Sequence, residues 1–165
     1  NNTTTNINNN YDLTCYVDAS YQKHADGKSH TGFSIYYGGG SPILWVSRKQ
    51  KIVTRSSAEA ELVALDTAAL ETLSLRRLLI ELGEDIPSAK IYEDNQATLQ
   101  MIKAGKPTSR ASKHINRRFF DIHEFVSEGT LSVQHISIND MIADILTKAM
   151  YGSKFVNLRA KLFDG

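Results

Sequence analysis

The spacing of apolar residues along the chain predicts a group of short strands followed by a long helix. Runs of alternating or continuous apolar residues at 13–20, 31–38 and 42–49 are typical of strands. The turns that separate them are short, which favours an antiparallel meander. Apolar residues near helical spacing then predict a helix over 57–82, which ends at Gly83.

The second half of the chain alternates between the two element types. It predicts a strand at 89–94, helices at 96–104 and 111–128, a strand at 131–137, helical residues from about 140, and a terminal helix carrying Phe155, Leu158 and Leu162. The order is that of an α/β layer fold around a mixed sheet. Because the long helix crosses between the meander and the fourth strand, the first and fourth strands are expected to be parallel neighbours.

The first ten residues, NNTTTNINNN, contain too little apolar surface to pack, and we expect a disordered linker at 1–10 and one domain over 11–165. The chain does not begin with Met, as expected for a piece of something longer. The single cysteine, Cys15, lies in an apolar run and predicts an inert core thiol in a reducing compartment. No run approaches the ~18 apolar residues of a membrane span, so we expect an intracellular protein without membrane contact.

Basic residues are concentrated in two segments, although the net charge is only +1. The segments 48–55 and 96–120 contain Lys and Arg but no Asp or Glu. Such segregation predicts a positive surface that could follow a phosphate backbone beside an acidic region. Two solvated faces are the alternative, and charge alone does not decide between them.

Two aspartates are expected at one edge of the sheet. Asp18 and Asp94 end strands predicted to be parallel neighbours, and ligand sites in such sheets lie beyond these strand ends. Close carboxylates repel each other, and a divalent metal ion removes that penalty. Each aspartate could instead cap the turn or helix that follows it.

The start of the long helix offers two glutamates with different roles. Residues 56–59 read Ser-Ser-Ala-Glu, the capping-box pattern, so Glu59 is assigned to the helix start. Glu61 faces about 160° away from Glu59, at the margin of the apolar face, and no cap explains it. We therefore predict that Glu61 is the functional residue.

Asp144 in NDMIADILTKAM is the fourth candidate, and its alternative is a surface pair with Lys148 worth about 0.3 kcal/mol. Glu93 should point to the face opposite Asp94, where a solvated or paired side chain is expected.

Four carboxylates from two strand ends and two helices would suit two Mg²⁺ ions. The lone cysteine and the absence of a zinc motif argue against zinc.

At this point the chain resembles a family, the ribonuclease H domain of copia-type retrotransposon polyproteins. The segments that carry the resemblance are YVDASY, SSAEAEL, IYEDNQAT, SKHINRRFFDIHEFV and ADILTKAM, and the similarity runs from about Tyr16 to Met150. It implies a ribonuclease H-like fold with a five-stranded mixed sheet flanked by helices. It also implies that the family's acidic tetrad falls on Asp18, Glu61, Asp94 and Asp144.

The resemblance further implies an activity and a setting. The activity is endonucleolytic cleavage of the RNA strand of RNA/DNA hybrids with two Mg²⁺ ions, for which Mn²⁺ can substitute. The domain would work while covalently linked to a reverse transcriptase, with residues 1–10 in the connection. We expect a monomeric isolated domain and a cytoplasmic location, within virus-like particles.

Several side chains are then candidates for contact with the hybrid: Arg55, Ser56, Lys113, Arg117 and Arg118. Backbone contacts of this kind would be salt-sensitive and independent of base sequence. Capping of the helix is an equally good account of Ser56.

Other side chains are expected to be structural. His135 is expected within the last strand, whereas many ribonucleases H carry a mobile histidine in a longer loop at this point. Trp45, Phe119 and Phe120 are expected in the core, because aromatic residues inside periodic runs usually pack there.

Two alternatives remain open. The first is a catalytically silent module that keeps the fold and positions nucleic acid or braces a polymerase. The second is another metal nuclease of the same broad fold, such as an integrase or resolvase core, which the 43-residue spacing from Asp18 to Glu61 disfavours.

Overall fold

The structure, a computed structural model, describes residues 12–105 and 113–164, so the predicted linker lies outside the described residues. The strands there are β1 Leu13–Ser20, β2 His30–Tyr37, β3 Leu44–Lys49, β4 Ala89–Glu93 and β5 Leu131–His135. The helices are α1 Ser57–Glu81, α2 Gln96–Ala104, α3 Lys113–Ser127, α4 Asp144–Thr147 and α5 Gly152–Asp164. No helix in this part of the chain is long and apolar enough to cross a membrane.

The strands form one mixed sheet in the order β3-β2-β1-β4-β5. The pairs β1–β2 and β2–β3 are antiparallel, whereas β1–β4 and β4–β5 are parallel. This arrangement confirms the predicted meander, the parallel neighbours and the fold class. It also brings the carboxyl ends of β1 and β4 to the same edge.

One face of the sheet carries the main core. The inward side chains of β1 are Leu13, Cys15 and Val17, all fully buried, and they belong to the cluster that α1 and α3 cover. Burial raises the pKa of the Cys15 thiol to about 12, as expected for an inert core residue. This face therefore supplies most of the buried apolar surface.

The opposite face is covered more thinly. Tyr36, Ile142 and Leu162 form a small buried cluster there, with Tyr16 packed against it. The predicted terminal helix is present as α5 and supplies Leu162 to this cluster. Asp18 lies two residues beyond Tyr16, and its side chain therefore points to this same face of β1. The face that carries Asp18 is the one covered by α4 and α5.

Close packing fixes α4 against β2. A Cβ atom at Gly32 would lie 2.6 Å from Thr147 Cγ2 and 2.7 Å from Leu146 Cβ, so only glycine permits this approach. The Ser47 hydroxyl donates a hydrogen bond of 2.6 Å to the Leu146 carbonyl oxygen. The helix predicted from about 140 is present only in part. The segment there consists of turns, followed by the four residues of α4.

The aromatic predictions were right for one residue and wrong for two. Phe119 is fully buried, but Trp45 is 59% and Phe120 52% exposed. Trp45 lies on β3, an edge strand of the sheet. Phe120 follows Phe119 on α3, where adjacent residues point about 100° apart, so both cannot face the core.

Candidate active site

The strand ends place two aspartates side by side. Tyr16 of β1 is level with Tyr92 of β4, so Asp18 and Asp94, each two residues further on, reach the same edge of the sheet. Asp18 is 1% exposed, and Asp94, directly after β4, is half-buried. The juxtaposition predicted from the strand order is therefore present.

The first turn of α1 separates the two glutamates as predicted. The Ser56 hydroxyl accepts a hydrogen bond of 3.2 Å from the Glu59 N–H, and the Glu59 carboxylate accepts one of 2.7 Å from the Arg55 N–H. These contacts cap the helix. Glu61 takes no part in the cap and is buried, 6% exposed.

Asp18, Glu61 and Asp94 form what we call the three-carboxylate cluster. One oxygen of each side chain lies within 4.8 Å of one oxygen of each of the other two. Glu61 Oε2 is buried and has no hydrogen-bond partner. Hard oxygen donors this close together, with one of them unsatisfied, fit a divalent cation such as Mg²⁺.

The electrostatics of the cluster favour a bound cation. Burial raises the pKa of Asp18 to about 6, although Lys148 and Thr147 oppose the rise. Burial, and then the charges of Glu93 and Asp18, hold the pKa of Glu61 well above its usual value. Burial also raises the pKa of Asp94. Added positive charge would stabilise the ionised form of all three groups.

Asp144 is joined to this cluster through lysine. It is fully buried, Lys148 Nζ pairs with its Oδ1, and Lys154 Nζ lies 2.7 Å from its Oδ2. Lys148 Nζ also lies 3.2 Å from Asp18 Oδ1, and the Thr147 hydroxyl donates to Asp18 Oδ2. The pair between Asp144 and Lys148 considered from the sequence is thus present, but the carboxylate is in the interior and not on the surface.

Glu93 is the residue whose burial sequence reasoning missed. It was expected to be solvated or paired, yet it is fully buried, with Oε1 accepting a hydrogen bond of 3.0 Å from the Asn95 N–H and Oε2 unsatisfied. The signal was available in the alternation of β4, because Ala89 and Ile91 of the same face are also buried. Its charge adds to the repulsion on Glu61.

The residues predicted to contact nucleic acid are spread over α1 and α3. Arg55 is exposed before α1, and Arg117 is exposed and lies 3.4 Å from Asp121. The Arg118 guanidinium is ion-paired with Asp66, which is 5% exposed. This ion pair ties α3 to α1. The side chain of Lys113 lies outside those described. Nucleic-acid contact by this set remains a prediction.

His135 is the last residue of β5, as expected, and is exposed. It lies near enough to Asp94 that its charge opposes the burial that raises the Asp94 pKa.

Comparison with solved structures defines the class. The LC11 ribonuclease H1 isolated from compost matches with a TM-score of 0.62 at 17% identity, over 82% of this chain and 91% of that one. The same enzyme in complex with an RNA/DNA hybrid matches with a TM-score of 0.57 at 16% identity, over 81% and 92%. The chain has the ribonuclease H fold.

Comparison of sequences gives the lineage. The chain is 37% identical over 141 residues to the retrovirus-related Pol polyprotein from transposon TNT 1-94 of Nicotiana tabacum, covering 85% of the chain and 10% of that protein. It is 36% identical over 155 residues to that from transposon RE1 of Arabidopsis thaliana, covering 93% and 10%. The chain is a homologue of one segment of the Pol polyproteins of plant copia-type transposons. It spans about a tenth of the length of these curated relatives, and no protein-family model matches it.

Proposed function

We propose that this domain is a metal-dependent endonuclease that hydrolyses the RNA strand of RNA/DNA hybrids during reverse transcription of a retrotransposon. One observation carries the proposal. Three carboxylate oxygens, from two strand ends and the crossing helix, lie within 4.8 Å of one another at the edge of a ribonuclease H sheet. The solved ribonuclease H1 bound to a hybrid supports the choice of substrate.

The acidic residues would hold the metal ions. Asp18, Glu61 and Asp94 would hold Mg²⁺ or Mn²⁺, and Asp144 would complete a site for two ions. When bound, the ions supply an activated water and stabilise charge on the leaving oxygen. The Thr147 hydroxyl and the Lys148 ammonium orient Asp18.

The hybrid would be held by contacts to its backbone. Arg55 and Arg117 are exposed cations on this domain, and Ser56, Lys113 and Arg118 complete the proposed set. Such contacts follow phosphates and not bases, so binding should weaken with salt and show no sequence preference.

The homology with Pol polyproteins supports a setting. We place the domain after a covalently linked reverse transcriptase, which would raise the local concentration of hybrid at the site. The isolated domain would be a monomer, and the parent protein would act in the cytoplasm within virus-like particles.

A second candidate is a catalytically silent module that binds hybrid. The observation that favours it is the pairing of both Asp144 oxygens with lysines, which occupies a carboxylate that catalysis would need. This candidate predicts salt-sensitive hybrid binding without cleavage.

The deciding experiment is cleavage of an end-labelled RNA/DNA hybrid by the purified domain with Mg²⁺, Mn²⁺ or EDTA. Double-stranded RNA and double-stranded DNA are the substrate controls. Asp94→Asn removes one ligand of the cluster, and Asp85→Asn is the matched control, because Asp85 is an exposed aspartate before β4.

Metal-dependent cutting of the hybrid's RNA alone, lost in Asp94→Asn and kept in Asp85→Asn, is the expected result. Hybrid binding without cleavage would support the silent module. Cleavage that survives Asp94→Asn would contradict the proposed site.

A further inference from the structure

Lys148 makes an unusual bridging contact. Its Nζ lies 3.2 Å from Asp18 Oδ1 and also pairs with Asp144 Oδ1, so one ammonium group joins two carboxylates. Both carboxylates are 1% exposed, while the lysine side chain is 36% exposed. Two buried carboxylates this close would repel each other without a cation between them.

The backbone of Lys148 is held in place. Lys148 directly follows α4, and its N–H donates a hydrogen bond of 3.0 Å to the carbonyl oxygen of Asp144, the first residue of that helix. The short helix is itself pressed against β2 at Gly32. The ammonium, in contrast, sits on a flexible four-carbon stem. The charged head can therefore leave its partners while the backbone stays fixed.

The influence of Lys148 reaches the whole site. Its charge opposes the burial that raises the pKa of Asp18, Glu61 and Asp94. Lys154 differs, because its recorded ion pair is with Asp144 Oδ2 at 2.7 Å, on the other oxygen of that carboxylate. The bridging position is thus particular to Lys148 among the described lysines.

We propose that Lys148 is a built-in counter-cation that shares Asp18 and Asp144 with the divalent ions and is displaced when they bind. It is a positioning residue, because it acts through the two carboxylates. Without metal it holds Asp18 and Asp144 together, so that the ion enters a prearranged site. The Lys148 ammonium also competes with the divalent ions for these two carboxylates, and this competition weakens metal affinity. The inference rests on the proposed function, because it takes these carboxylates to be metal ligands.

The test measures metal binding by the domain without nucleic acid. Mn²⁺ is titrated by calorimetry into the wild-type protein, Lys148→Met and Lys161→Met. Lys161 is the matched control, since it is a lysine of α5 paired with the exposed Asp140 and lies outside the site. Thermal unfolding in EDTA and in Mg²⁺ gives a second readout.

Lys148→Met is expected to bind Mn²⁺ roughly tenfold tighter, because a positive charge at contact distance from the ligands is removed. It should unfold at a lower temperature in EDTA and gain more from Mg²⁺ than the wild type does. Lys161→Met should stay within about twofold of wild-type affinity, since exposed distant charges are screened.

Unchanged or weaker metal affinity in folded Lys148→Met would overturn the inference and leave the proposed function intact. A wild-type domain that binds no divalent ion would overturn both. If Lys148→Met does not fold, the ¹⁵N signal of the Lys148 ammonium in wild-type protein decides. It should shift with the same midpoint as metal binding, and a signal that does not move would overturn the inference.

Discussion

The two parts of the acidic site differ in what balances their charge. Glu61, in the three-carboxylate cluster, has a buried oxygen without a partner and a pKa raised by burial and by Glu93. Asp144 is just as buried, but both of its oxygens are paired with lysines. Two buried carboxylates of one site thus differ, because Glu61 lacks, among the described residues, a neighbouring positive charge that pairs with it and Asp144 has two. Under the proposed function, a cation from outside would balance the charge of the cluster.

The largest expected effect comes from neutralising one residue in each part. Glu61→Gln and Asp144→Asn should each lower hybrid cleavage by ~10³-fold or more, because metal-based stabilisation supplies several kcal/mol. Their effects on stability in EDTA should have opposite signs. Glu61→Gln relieves repulsion, whereas Asp144→Asn leaves Lys154 without its ionised partner and Lys148 paired with Asp18 alone, and should cost about 1–2 kcal/mol, given the partial exposure of the lysines.

Urea unfolding in EDTA, beside single-turnover cleavage, measures both quantities. A loss of stability in Glu61→Gln equal to that in Asp144→Asn would remove the distinction between the two parts.

Gly32→Ala should separate the parts physically. The added Cβ would meet Thr147 and Leu146 and push α4 away from β2, which moves Asp144 and leaves the cluster's own elements in place. We expect a loss of about 1–3 kcal/mol in stability and about a hundredfold in cleavage. Ser34→Ala, at a buried position of the same strand, is the control, because it adds no atom toward α4. Wild-type cleavage by Gly32→Ala would show that the position of α4 is not critical.

The stability of the metal-free protein should fall as pH rises, because burial raises the pKa of Asp18 in the folded state. The folded pKa of Asp18 is raised from 3.8 to about 6, so its contribution is fully present below the unfolded pKa and is lost as pH rises through about 6. We expect the free energy of unfolding in EDTA to fall by on the order of 2 kcal/mol between pH 4 and pH 7. Mg²⁺ should restore it at pH 7. Denaturation at several pH values checks this, and a rise with pH in EDTA would contradict it.

The smallest effect is expected at the hydroxyl that Thr147 directs to Asp18. Thr147→Val keeps the shape but removes the donor, and should cost about 1 kcal/mol in stability. Cleavage should fall by about tenfold, and Thr147→Ser should recover most of it, since the serine hydroxyl can make the same bond. Equal activity in the two variants would show that the hydroxyl does not position Asp18.

Much of the fold and part of the site could be read from local patterns. The crossing helix between β3 and β4 required β1 and β4 to be parallel, and this placed Asp18 beside Asp94. The capping box at Ser56 and Glu59 left Glu61 free for another task, and the structure has this arrangement. The first inference rests on how consecutive elements connect, and the second rests on hydrogen bonds between residues close in sequence.

The errors have a common physical cause. The burial of Glu93 and the exposure of Trp45 both depend on which element covers a given face. Strand alternation tells which side a residue takes, but the cover on that side comes from distant segments of the chain. The predictions for Glu93 and Trp45 failed at that step.

The sequence by itself determined the order of elements, the strand directions and the cap at the start of the long helix. These depend on periodicity, caps and connection rules that act within or between neighbouring elements. Only the tertiary structure decided that Lys148 bridges Asp18 and Asp144, residues 126 positions apart along the chain. That contact needs the close approach of α4 to Gly32, and an approach of this kind is set by packing between segments far apart in sequence.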